Sequence, residues 1–103
     1  MKLEVLHVPD CPNTAALTER LDALIVGRGD VVVEDRVIRD ETEAAVRGMA
    51  GSPTLLVDGV DPFAVAGQPP SVSCRLYVDE AGTVSGAPTL AQLRAALGKR
   101  RDR

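Results

Sequence analysis

The residues best suited to chemistry in this chain are its two cysteines, and they sit in different settings. Cys11 falls in Leu3-Glu4-Val5-Leu6-His7-Val8-Pro9-Asp10-Cys11-Pro12-Asn13-Thr14, where an apolar run stops at a proline and a helical pattern begins. At such a junction a thiol meets free backbone N–H groups and the positive end of a helix dipole. Both favour the thiolate, which is the nucleophilic and metal-binding form of cysteine. Asp10 next to it works the other way, by like-charge repulsion. Thr14 stands three residues after Cys11, where a C-x-x-C motif would have its second cysteine. Threonine cannot resolve a mixed disulfide, so a dithiol cycle inside this turn is excluded and an outside thiol is required. Thr14 either lends its hydroxyl to the Cys11 thiolate or simply continues the helix as a local backbone partner.

Cys74 is the other possible resolving thiol or second sulfur ligand. The competing reading, and the preferred one, is a cysteine buried in a strand, since free cysteines are among the most buried residues. His7 is the single histidine. It is either a base for the Cys11 thiol, as in Cys–His pairs, or, as preferred, a strand residue satisfied by the sheet. Asp58, Asp61, Asp79 and Glu80 lie in turn-like stretches and are read as shaping turns. No Cys/His cluster has zinc spacing and no glycine loop suits a phosphate. No metal or cofactor is therefore expected, apart from an external small thiol such as glutathione.

The elements that must position these groups are readable from periodicity. Leu3 to Val8 suits a strand covered on both faces, ended by Pro9. Leu17, Leu21, Leu24 and Ile25 then form one helical stripe, stopped by Gly27 and Gly29. Val31 to Ile38 is β-branched and predicts a second strand. Asp40 and Glu43 have capping-box spacing for a short helix over Glu41–Arg47. Pro53 opens a third strand that ends at an Asp58-Gly59 turn. Val60 to Ser73, with Asp61-Pro62, Gly67 and Pro69-Pro70, reads as a long loop. Cys74 to Val78 predicts a strand, Thr83 to Ser85 a short one, and Thr89 with Gln92 the capping box of a last helix lined by Leu90, Leu93 and Leu97.

The resulting order is β-α-β-α-β-β-α. A right-handed crossover makes the first two strands parallel, and strands joined by turns add antiparallel. A mixed four-stranded sheet flanked by helices is expected. The chain of 103 residues is one α/β domain over 1–98, with a solvated, frayed basic tail over 99–103. Its core must be aliphatic, because Phe63 and Tyr77 are the only rings. A net charge of −3 argues against nucleic acid as a partner. No apolar run approaches the roughly 20 residues that span a bilayer. Glu4 and His7 interrupt the first apolar stretch, which argues against a signal peptide. A soluble cytoplasmic protein with free thiols is expected, its oligomeric state left open.

The Pro9-Asp10-Cys11-Pro12 turn and the Gly51-Ser52-Pro53-Thr54-Leu55 segment together resemble the thioredoxin-like superfamily, including the start of glutaredoxin active sites. Gly86-Ala87-Pro88 before the last helix is also similar. The resemblance covers most of the chain and departs from the family at Thr14 and in the loop Val60 to Ser73. It implies that Cys11 is the attacking thiol and Pro53 a cis-proline beside it, with Thr14, in place of the resolving cysteine, kept as a catalytic candidate through its hydroxyl. It further implies that Pro12, Ser52 and Thr54 bind substrate, with the Ser52 backbone pairing to an extended segment.

The leading functional expectation is a monothiol thiol–disulfide oxidoreductase acting on a protein or small-molecule disulfide. One alternative is a soft-metal protein presenting Cys11 and Cys74 to mercury or copper(I); short thiol proteins with a Cys-Pro turn resemble mercury-handling proteins, with organomercurial lyases as the enzymatic form. A second alternative is a degenerate, non-catalytic thioredoxin-like domain that binds a partner.

Overall fold

Alternation in the first strand decides the layers. The computed structural model describes residues 1–101, the side chains of 99–101 excepted. In β1 (Lys2–His7), Leu3 and Val5 point to one face and Leu6 to the other. The first face packs against α1 (Thr14–Ile25) through Leu17 and Leu21, and against α3 (Leu90–Arg101) through Leu93 and Leu97. The second packs against α2 (Glu41–Arg47) through Leu6, Ile38, Ala44 and Met49. Among the described side chains of α3, Leu93, Ala96 and Leu97 are buried, whereas Leu90, expected in that stripe, is 37% exposed.

β1 is the central strand of a mixed three-stranded sheet. β2 (Val32–Val37) pairs with it in parallel, from Lys2↔Val32 to His7↔Val37. Two further strands flank Pro53: β3 (Ala50–Ser52) and β4 (Thr54–Val57). β4 runs antiparallel to β1, from Leu3↔Val57 to Leu6↔Thr54. Asp58 and Gly59, both at positive φ (50° and 85°), close the two-residue turn between Val57 and Val60. The helix caps form as expected. Asp40 accepts from Glu43 N–H at 2.8 Å, and Thr89 and Gln92 bond reciprocally at 2.9 and 3.1 Å.

The expected fourth strand does not join this sheet. Cys74 to Val78 is split instead: β5 (Ser71–Cys74) pairs with β3, and β6 (Tyr77–Val78) forms a ribbon with β7 (Val84–Ser85). The β3–β5 pairing is parallel, where an antiparallel addition was expected. The long loop after Val60 explains this, because it gives the chain room to cross back and re-enter in the same direction. The expected tail over 99–103 lies outside the described residues, except that the helical backbone of α3 runs through 99–101. No helix among the described residues is long and apolar enough to cross a membrane.

Arg75 causes the split. Its side chain turns inward and is only 4% exposed. Nη1 donates to Asp61 Oδ2 at 2.7 Å and to Thr54 Oγ1 at 3.0 Å, while Nη2 donates to Phe63 O at 2.8 Å. The guanidinium also lies 4.8 Å from the centre of the Tyr77 ring, which meets Phe63 edge-on at 5.5 Å. One cation thus ties the long loop, β4 and the β5–β6 junction together. Gly51 permits the approach: at φ 108° it leaves room where a Cβ would stand 2.8 Å from Arg75 Cβ.

Removing one partner of such a pair strands the other charge. Asp61→Ala is expected to cost about 3–5 kcal/mol in urea unfolding. The same substitution combined with Arg75→Leu should cost clearly less than the sum of the two single changes; additive effects would show that the two side chains are not coupled.

Candidate functional site

Cys11 lies in the turn from β1 to α1 and is partly buried. Asp10 before it takes a left-handed conformation (φ 59°), one that Asp tolerates better than most residues. This accounts for an aspartate at position 10 through the backbone. Asn13 occupies the N-cap of α1 without capping it through its side chain. Thr14 N–H reaches the Cys11 carbonyl at 3.5 Å, and the N–H groups of Asn13 and Thr14 both favour the charged form of the Cys11 sulfur.

Burial pushes the Cys11 thiol up, but four hydrogen-bond donors together outweigh it: the hydroxyls of Ser52 and Thr14 and the N–H groups of Asn13 and Thr14. The net effect is a pKa below the ordinary thiol value. Asp10 is not among the groups that move it. Thr14 Oγ1 is buried and has no formed hydrogen bond. The group it faces is the sulfur, so ionisation of Cys11 supplies the acceptor that this hydroxyl lacks.

Ser52 is 1% exposed, and its hydroxyl does two things. Oγ accepts from Val8 N–H at 3.1 Å, which leaves its own proton to donate to Cys11. The sequence assigned Ser52 a backbone role and missed this one, although a hydroxyl next to the proline was the available signal. The backbone role is taken by the chain itself: the Ser52 carbonyl accepts from Arg75 N–H at 3.0 Å, and Ser52 is in register with Cys74 of β5.

The Ser52–Pro53 peptide is cis and Pro53 is fully buried. Tyr77 Oη donates to Pro53 O at 2.6 Å. Burial pushes the Tyr77 phenol well up, so it stays a neutral donor. Pro12 is exposed at the mouth of the turn. Thr54 is not available to a ligand: it is 0% exposed, and its hydroxyl donates to Gly51 O at 2.6 Å and accepts from Arg75.

His7 does not serve Cys11. Nε2 pairs with the Asp35 carboxylate and Nδ1 lies 3.2 Å from Val8 O, so both ring nitrogens face acceptors. Asp79 shapes its turn, accepting from the N–H groups of Ala81 and Thr83 at 2.9 Å. Asp61, also read as a turn residue, has the further role of anchoring Arg75. Cys74 departs from the preferred reading of a buried strand residue, because it is exposed. β5 is a two-stranded edge, with no sheet beyond it to cover the sulfur.

Among the described residues no group of three or more His, Cys, Asp or Glu is placed to hold a metal ion. A hollow of about 510 Å³ between Val57, Val60, Phe63 and Ala96 is lined by none of the groups that contact Cys11. No protein-family model matches the chain, and no curated protein or solved structure matches it significantly.

The donor set makes a direct prediction. Alkylation of Cys11, followed against pH, should have its midpoint below that of an ordinary unperturbed thiol. Ser52→Ala and Thr14→Val should each move that midpoint up, since each removes a donor to the charged form. A midpoint unchanged in both variants would show that these hydroxyls do not support the thiolate.

Proposed function

We propose that the chain is a thioredoxin-like thiol–disulfide oxidoreductase in which Cys11 is the nucleophile and an external small thiol such as glutathione restores it. The observation that carries this reading is a partly buried cysteine at a strand–helix turn, where the Ser52 and Thr14 hydroxyls and the Asn13 and Thr14 N–H groups hold the thiol below its ordinary pKa. A merely structural cysteine has no need of such donors. Support also comes from the order of the first elements and from the parallel β1–β2 pair followed by antiparallel β4. A protein of this kind belongs in a reducing compartment such as the cytoplasm.

The site also narrows the substrate. The edge of β3 at Ser52 is already paired with β5, so an extended polypeptide has no free edge to add to there. Small disulfides and small-thiol adducts approaching past exposed Pro12 fit better. In this route the Cys11 thiolate attacks one sulfur of the disulfide and the other sulfur leaves as a thiolate. A second small thiol then attacks the mixed disulfide and frees Cys11. In a glutathione-coupled assay with a small dialkyl disulfide, the wild-type chain should turn over and Cys11→Ser should not. Equal rates for the two chains would overturn the reading and leave a non-catalytic binding domain.

One observation favours the soft-metal alternative: Cys74 is exposed and lies across the ladder from Ser52, which itself contacts Cys11. Two thiolates suffice for a two-coordinate soft cation. Titration with mercury(II) should then give a thiolate charge-transfer band at one metal per chain. Loss of that band in Cys11→Ser but not in Cys74→Ser would count against a shared site.

A further inference from the structure

We propose that Cys74 is the resolving thiol for Cys11, so that the dithiol pair missing from the turn is assembled across the β3–β5 ladder. The inference rests on the reading of Cys11 as the attacking nucleophile and adds to it the partner that releases the substrate from within the chain.

Ser52 is the link. Its hydroxyl donates to the Cys11 sulfur, and its backbone is in parallel register with Cys74. Paired residues on adjacent strands project to the same face, with strands about 4.8 Å apart. The ladder shifts register between the Ala50↔Ser71 and Ser52↔Cys74 pairs, and this shift sets Cys74 directly opposite Ser52, the residue that supports the Cys11 thiolate. Its sulfur is exposed, as a group that must reach a neighbouring mixed disulfide requires. Position 74 is also well anchored. The next residue is Arg75, whose N–H bonds to Ser52 O at 3.0 Å and whose guanidinium is fixed by Asp61, Thr54 and Phe63. The narrow approach at Gly51 holds the two segments together at the same level.

The chemistry balances without a further oxidant. The Cys11 thiolate attacks a small disulfide, forming a mixed disulfide and releasing the first thiolate, which takes a proton from water. Cys74 gives its proton to water and its thiolate attacks Cys11 Sγ. The bond between Cys11 and the substrate sulfur breaks, and the second thiolate leaves. Two electrons have passed to the substrate, and the chain carries a Cys11–Cys74 disulfide. Two equivalents of a small-molecule thiol return it to the dithiol.

The test is to treat the fully reduced chain with one equivalent of 5,5′-dithiobis(2-nitrobenzoate) and follow intact mass, released chromophore and peptide maps. The wild-type chain should lose two hydrogens, keep no adduct and yield a Cys11–Cys74 linked peptide. Cys74→Ser should stop with the adduct retained on Cys11. Ser71→Cys placed in the Cys74→Ser background should not restore the internal disulfide, because position 71 is in register with Ala50, two residues back along β3 from Ser52. A wild-type adduct that persists on Cys11, or a disulfide formed equally well from position 71, overturns the role of Cys74 and leaves the monothiol reading intact. Failure of Cys11 to take up the label at all overturns both.

Discussion

The arrangement depends on one buried cation. Arg75 has its charge countered by Asp61, and it donates further to Thr54 and Phe63. Set against an apolar replacement, a buried ion pair adds little net stability. Its effect here is on geometry. A guanidinium taken out of water must have its partners in specific directions, so the loop carrying Asp61 and Phe63 and the strand carrying Thr54 have one way to fit. That constraint draws residue 75 inward and splits the Cys74–Val78 segment. It also sets β5 against β3. The neighbourhood of Cys11 on the Ser52 side therefore follows from a residue whose side chain never touches the sulfur.

The other side of the site is built from the helix. At the start of α1, N–H groups lack intrahelical acceptors, and Asn13 does not cap them with its side chain. Gly86 crowds this point closely: a Cβ there would fall 2.3 Å from the Asn13 amide. Arg20 of α1 also donates to Pro88 O at 2.6 Å. The loop before α3 thus braces the first turn of α1. The N–H groups of Asn13 and Thr14 favour the Cys11 thiolate, and Thr14 N–H also reaches the Cys11 carbonyl at 3.5 Å. Donors on fixed backbone need little rearrangement when the charge appears.

Much of this was legible in the sequence where a local rule applied. The stripe Leu17–Leu21, the caps at Asp40 and Thr89, the Asp58-Gly59 turn and the strand-to-helix turn at Cys11 each depend on residues a few positions apart. What could not be read were consequences of distant contacts. Arg75 stands in an apolar run, and only its pairing with Asp61 fourteen residues away decides that it points inward. The exposure of Cys74 follows from β5 lying at an edge, which depends on the loop crossing back in parallel. Thr54 looked like a ligand contact by position, yet it is spent on holding Gly51 and Arg75. The charge left unpaired in a strand pattern was the one local hint that a partner had to exist elsewhere.

The Ser52 hydroxyl has a consequence for observing the protein at work. It accepts from the Val8 amide just beyond β1 and donates to Cys11, so one oxygen joins the backbone at the end of the central strand to the sulfur. When the sulfur is negative, the hydroxyl proton is drawn toward it and the oxygen becomes the better acceptor for Val8 N–H. When the sulfur is bound up in a disulfide, that pull disappears. The Val8 amide is therefore a built-in reporter. Its resonance should record the redox state of Cys11 without any label on the thiol.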